Sequence, residues 1–147
     1  MERHVKILLA VDGSEPSIRA TRKVVETARL CREPTEVELV TVHLPIPQIG
    51  GLFNTVVSKQ MVEQYYEDEG AQALAASEKI LAEAGVAFTA RRLVGNIAET
   101  LIERADATQC RMIYMGTRGM SALPNLVLGS IATKVVHLAL VPVVLVP

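Results

Sequence analysis

Residues 5–14 read VKILLAVDGS. From Val5 to Val11 the run is almost continuously apolar and β-favouring, and Asp12-Gly13-Ser14 closes it. A strand with one wet face alternates polar and apolar residues, so a nearly unbroken run predicts a strand covered on both faces of its sheet. Ser14 then stands where it can cap a helix, and Pro16 is tolerated in a first turn whose N–H groups lack intrahelical partners. Ile18, Val25 and Ala28 recur on one face as far as Cys31. A buried strand followed by an amphipathic helix is the first half of a parallel β-α-β unit.

The same alternation runs down the chain. VELVTVHL (residues 37–44) is a second strand, followed by the loop PIPQIGG; Pro45 to Ser58 is read as a crossover connection in preference to a gating lid. A helical pattern returns from about Lys59 to Ala84, with Met61, Tyr65, Leu74, Leu81 and Ala84 on or near its buried side. Gly70 weakens its middle by roughly 1 kcal/mol relative to alanine, which predicts a bend or break there. VAFTARRLV (86–94) is a third strand. GNIAETLIERA (95–105) opens a helix with Asn96 and Glu99 spaced as a capping box and with Ile97, Leu101, Ile102 and Ala105 as its stripe. RMIYMGT (111–117) is a fourth strand, Ser130 to Leu140 a helix with Ile131, Val135 and Leu138 inward, and VPVVLVP (141–147) a fifth strand. Five strands separated by four helices specify an α/β fold, an open twisted parallel sheet with helices on both faces.

Composition narrows partners and compartment. With 147 residues, half of them hydrophobic, the chain is expected to form a single domain over 1–147. A net charge of -1, with the basic residues scattered, gives no footprint for nucleic acid or an anionic membrane. Cys31 and Cys110 lack Cys-x-x-Cys spacing, so buried free thiols are expected rather than a disulfide framework or a thiolate metal site. The apolar run Val5 to Val11 is too short to span a membrane and no cleavage signal follows it, so a cytoplasmic protein is expected.

In such a sheet, ligands bind outside the carboxyl ends of the strands, where the strand order reverses. Asp12, Val42, His43 and Gly116 all reach that edge. The stretch GTRGMSALPNLVLGS (116–130) places Gly116 and Gly119 three apart, then Gly129-Ser130 at a helix start. Two readings fit this spacing equally. The glycines would allow positive φ and close approach to a phosphate held by free helix N–H groups, with Arg118 adding a cation. Alternatively, they shape a turn, with Ser130 as a helix cap. Asp12 likewise suits a turn or cap as well as a ligand. His43 is read first as a structural histidine, and His4 and His137 show no metal spacing.

The segment G-x-x-G, nine residues, then G-S, together with ILLAVDGSEPS near the start, the GNIAETLIERA helix and the valine-rich end, resembles the universal stress protein family over the whole chain. The resemblance is to its ATP-binding branch, whose fold is Rossmann-like and akin to the adenine nucleotide alpha hydrolases. It implies ATP, with Mg2+ entering on the phosphates. Asp12 would meet the ribose or adenine side and Val42 would hold adenine through its backbone. Gly116, Arg118, Gly119, Gly129 and Ser130 would surround ribose and phosphates, and Met115 and Ile131 would line the pocket. Ala10 stands in the adenine wall where some ATP-binding relatives carry proline.

The function so implied is a nucleotide-dependent stress-response or signalling module with a protein partner that the sequence does not name. A slow ATPase or phosphotransferase, and a dimeric scaffold that ignores nucleotide, are the alternatives. No Walker lysine follows the glycines and no paired base and nucleophile is visible, so no catalytic residue is assigned. The terminal strand, short and apolar between prolines, invites pairing with another chain if it lies at an edge. A homodimer through that strand is expected, as the resemblance also implies.

Overall fold

The computed structural model describes residues 3–46, 56–120 and 125–147. Its elements alternate as β1 (Val5–Ala10), α1 (Glu15–Leu30), β2 (Thr35–His43), α2 (Val56–Glu83), β3 (Ala87–Val94), α3 (Ile97–Ala107), β4 (Met112–Gly116), α4 (Ser130–Leu138) and β5 (Val143–Val146). Every strand pairing is parallel and the sheet order is β3-β2-β1-β4-β5. The expected crossover from Pro45 to Ser58 falls largely on residues 47–55, outside the described residues, and Val56 already belongs to α2.

Crossovers between parallel strands are right-handed, so the direction of travel across the sheet decides which face receives the helix. The chain steps from β1 to β2 to β3 in one direction and lays α1 and α2 on one face. It then returns past β1 to β4 and β5, which puts α3 and α4 on the other. Two separate cores result. Ile7 and Leu9 join Val24 of α1 and Leu74 and Leu81 of α2, whereas Leu8 joins Leu101 of α3 and Val135 of α4. Ile7, Leu8 and Leu9 are all fully buried. That is why the run had to be apolar at consecutive positions, each such side chain contributing about 1.5–3 kcal/mol by burial.

Several local expectations give way to packing. α2 runs unbroken through Gly70. A Cβ there would lie 2.3 Å from Cδ of Arg92, whose guanidinium donates to the Glu67 carbonyl at 3.2 Å, so this glycine admits a crossing side chain. Met61 and Tyr65 of α2 are exposed, while Leu74 and Leu81 are buried. Asn96 caps α3 without a side-chain bond; Glu99 instead reaches across to Lys134 of α4. In α4, Val135 faces inward with Ala132, but Ile131 and Leu138 are only partly covered, and the helix stops at Leu138. Both cysteines are free, Cys110 buried and Cys31 half-buried.

One polar group sits inside the second layer. Glu38 of β2 is only 5% exposed and accepts from Arg104 Nε of α3 at 2.7 Å, with Arg91 Nε of β3 at 3.8 Å. A buried carboxylate stripped of its partner is strongly destabilising, although Arg91 would remain. We expect Arg104→Met to lower stability by about 2 kcal/mol in urea denaturation, and Glu38→Gln in the same chain to recover much of that loss.

Candidate functional site

The order reversal lies at β1, which carries β2 on one side and β4 on the other. Segments leaving the carboxyl ends of β1 and β4 diverge to opposite faces, and a crevice opens between them. It forms a cavity of about 620 Å3. Ala10, Asp12, Val42, Met115, Gly116, Arg118, Gly119, Gly129, Ser130 and Ile131 all line it, and so does His43. The sequence-predicted residues are therefore brought together, although Ala10 and Ile131 stand at opposite ends of the chain.

Asp12 is held from both sides. Its Oδ1 accepts from the Ser17 hydroxyl at 2.6 Å and from the Ser14 N–H at 3.0 Å, and its Oδ2 accepts from the Met120 N–H at 3.1 Å. Ser14 caps α1 by accepting from the Ser17 N–H at 3.4 Å. Surrounding protein disfavours the charge on Asp12, but the hydrogen bonds from Ser14, Ser17 and Met120 together outweigh this and hold its carboxyl below the ordinary aspartate value. Such a carboxylate is a good hydrogen-bond acceptor and a poor general base.

The glycines act by close approach rather than by positive φ. Among the described residues positive φ is confined to Gly13, Gly85 and Gln109. A Cβ on Gly116 would lie 2.6 Å from that of Pro16, and one on Gly119 would lie 2.6 Å from Asp12 Oδ2. Gly129, not Ser130, is the N-cap of α4; its N–H donates to the Thr117 carbonyl at 2.6 Å, and it offers no side-chain cap. The first N–H groups of α4 thus remain beside the cavity, where the helix dipole favours negative charge. Among the described residues Arg118 is the cation that lines the cavity, against the carboxylates of Asp12 and Glu69.

β1 ends before β2 does. The Val11 N–H donates to the Val40 carbonyl at 2.9 Å, so even-numbered residues here turn their backbone groups toward β1. Val42, two residues on, presents its N–H and C=O to the space that β1 has vacated. His43 faces the other way in the ladder, its carbonyl accepting from the Gly95 N–H at 3.0 Å. Met115, Ile131 and Ala10 supply apolar wall. No group of three or more His, Cys, Asp or Glu arranged for a metal ion occurs among the described residues.

Sequence reasoning missed Ser17 and the contributions of Ile97 and Leu101 from α3 and of Glu69, Gln72 and Ala73 from α2. The DGSEPS spacing carried a signal for Ser17, since a second serine three residues after a cap sits in the first helical turn. The α2 residues carried none. Which turn of a long helix overhangs the crevice is set by packing alone, here by Ala73 lying 3.4 Å from where a Cβ of Gly13 would be.

Comparison with known proteins agrees with this architecture. The model of the universal stress protein family matches residues 5–147. A universal stress protein of Thermus aquaticus is 34% identical, with 95% of this chain and 96% of that protein covered. The solved structure of UspA from Lactobacillus plantarum superposes with a TM-score of 0.78 at 19% identity, covering 99% of each chain. The universal stress protein of Archaeoglobus fulgidus, solved in complex with dAMP, gives 0.65 at 25% identity over the full length of both chains. The doubly wound sheet and the glycine-lined crevice fit a match that runs nearly end to end, and the chain belongs to the universal stress protein family.

Proposed function

We propose that this chain binds ATP in the crevice between β1 and β4 and acts as a nucleotide-dependent stress-response or signalling module. The observation that carries the reading is the meeting, in one cavity, of a free strand-edge backbone at Val42, a held acceptor at Asp12, and glycines beside an uncapped helix N-terminus. These three features match the parts of a nucleotide: a base edge, a sugar hydroxyl and phosphates. The cavity's size suits a ligand of that class. The dAMP complex of the Archaeoglobus fulgidus relative supports an adenine nucleotide.

In this reading Val42 holds adenine with its backbone against Ala10, Met115 and Ile131, and Asp12 meets the ribose side. Gly116, Arg118, Gly119, Gly129 and Ser130 surround ribose and phosphates, and Mg2+ enters with the phosphates. A side chain at Gly119 would press on Asp12 Oδ2, the oxygen proposed to meet the nucleotide, and one at Gly116 would displace Pro16 at the start of α1. The held charge on Asp12 weighs against rapid hydrolysis, and binding rather than turnover is the proposed activity. A cytoplasmic location and a partner that senses occupancy complete the proposal.

The purified protein should release adenine nucleotide on denaturation, or else melt several degrees higher with Mg-ATP; at 100 times Kd the stabilisation is about 2.7 kcal/mol. Arg118→Ala should weaken ATP about tenfold while leaving adenosine affinity nearly unchanged, since it removes a charge-assisted phosphate contact. Equal loss for both ligands would place Arg118 elsewhere.

Asp12 also links stability to pH. Its folded value is lowered, so its contribution is complete above the ordinary aspartate value of about 3.9 and disappears as pH falls through the lower folded value. Asp12→Asn should be less stable than the parent at neutral pH, with the gap closing on acidification below about pH 4 in denaturant titrations. A gap independent of pH would mean that the carboxylate charge is not what matters.

We also propose a homodimer through the C-terminal strand. β5 is an edge of the sheet, and Val136, Leu138 and Leu140 near it are exposed. An unpaired apolar edge invites a second chain. Sedimentation at micromolar concentration should show a dimer; a monomer there would remove the proposal.

A further inference from the structure

We propose that Ser17 is a positioning residue for the crevice: its hydroxyl fixes the Asp12 carboxylate so that Asp12 takes a single hydroxyl donor from a bound nucleotide, through Oδ2. This rests on the reading of the crevice as a nucleotide site and deepens it.

Ser17 is 4% exposed, in the first turn of α1. A hydroxyl has one proton to give and two lone pairs to fill. The Ser17 proton goes to Asp12 Oδ1 at 2.6 Å, and its lone pairs receive the Asp12 N–H at 3.0 Å and the Ser14 hydroxyl at 3.2 Å. Its capacity is used up within the turn. Its backbone is anchored as well, because the Ser17 carbonyl accepts from the buried Thr21 hydroxyl at 2.9 Å, and Thr21 in turn meets Ser77 of α2 at 2.7 Å. Thr21 has spent its proton on Ser17, so Ser77 must donate to Thr21. The hydroxyl that holds Asp12 is thereby tied to both helices on its face of the sheet.

The count on Asp12 then becomes selective. An ionised carboxylate offers about four acceptor positions, two on each oxygen. Ser17 and the Ser14 N–H fill those on Oδ1, and the Met120 N–H fills one on Oδ2. One position is left. A vicinal diol gripped by both carboxylate oxygens would need two, so Asp12 reads one ribose hydroxyl and not the pair. The other ionisable groups facing the cavity are His43 from the end of β2, Glu69 from α2 and Arg118 after β4. Burial opposes the charge on Asp12, and hydrogen bonding by Ser14 and then by Ser17 lowers its carboxyl.

The test compares the parent, Ser17→Ala and Ser17→Thr by calorimetric titration with ATP, 2′-deoxy-ATP and 3′-deoxy-ATP from about pH 3 to about 8, alongside an NMR titration of the Asp12 carboxyl without nucleotide. The parent should bind one deoxy analogue about tenfold more weakly than ATP and the other within about twofold. Ser17→Ala should reduce that tenfold penalty to about threefold or less, and its ATP affinity should fade at a higher pH than the parent's. Ser17→Thr, which keeps the hydroxyl, should restore both. An alanine variant with the parent's discrimination and pH profile overturns the role of Ser17, and equal penalties for both analogues in the parent overturn the single-hydroxyl geometry. The analogue series on the parent decides the latter even if the alanine variant does not fold. If the parent binds no nucleotide, the functional reading fails and the proposal with it. The Asp12 titration then shows whether Ser17 still holds the carboxyl: a midpoint raised in Ser17→Ala says that it does, and an unmoved one that it does not.

Discussion

Right-handed crossover is the constraint on which this molecule depends. Once β1 is buried on both faces, each later strand must be reached by a helix whose side of the sheet is dictated by the direction of travel. Two helices therefore cover one face and two the other. The change of direction leaves the carboxyl ends of β1 and β4 with no helix crossing between them. The crevice is what the winding leaves open, and the residues at its rim are simply those that follow the strands.

The rim is held together by Asp12. Its carboxylate ties the start of α1, through Ser14 and Ser17, to the loop after β4, through the Met120 N–H. Gly119 lets that loop approach, since a Cβ would collide with Oδ2, and Gly116 lets α1 approach through Pro16. Turn-making and cradle-making, which the glycine spacing left as rival readings, are thus compatible in one geometry. The glycines are needed for packing whether or not a ligand is present, and the proposed nucleotide would use the space that packing leaves.

How much was legible can be followed residue by residue. The strands announced themselves because burial on both faces demands consecutive apolar residues such as Ile7, Leu8 and Leu9. The helix starts were legible where a cap is a local affair, as at Ser14. They were misread where a side chain had a better partner far away in sequence: Glu99 left its own helix terminus for Lys134. Gly70 looked like a break because its helix propensity is poor. Its reason for being glycine is Arg92, a residue on another element. Met61 and Tyr65 fitted a buried stripe by period but fall on a part of α2 whose neighbours leave them exposed.

The sequence by itself determined the alternation of strands and helices, the parallel sheet that follows from it, and the set of residues delivered to one edge. These rest on periodicity and on short-range chemistry, which the linear order carries. Tertiary structure alone decided that the Met120 N–H reaches the second oxygen of Asp12, that Val42 outlasts β1 and bares its backbone, and that Glu69 of α2 looks into the crevice. Each of these depends on distances between segments far apart in the chain. Those distances are fixed only when the side chains of both layers pack.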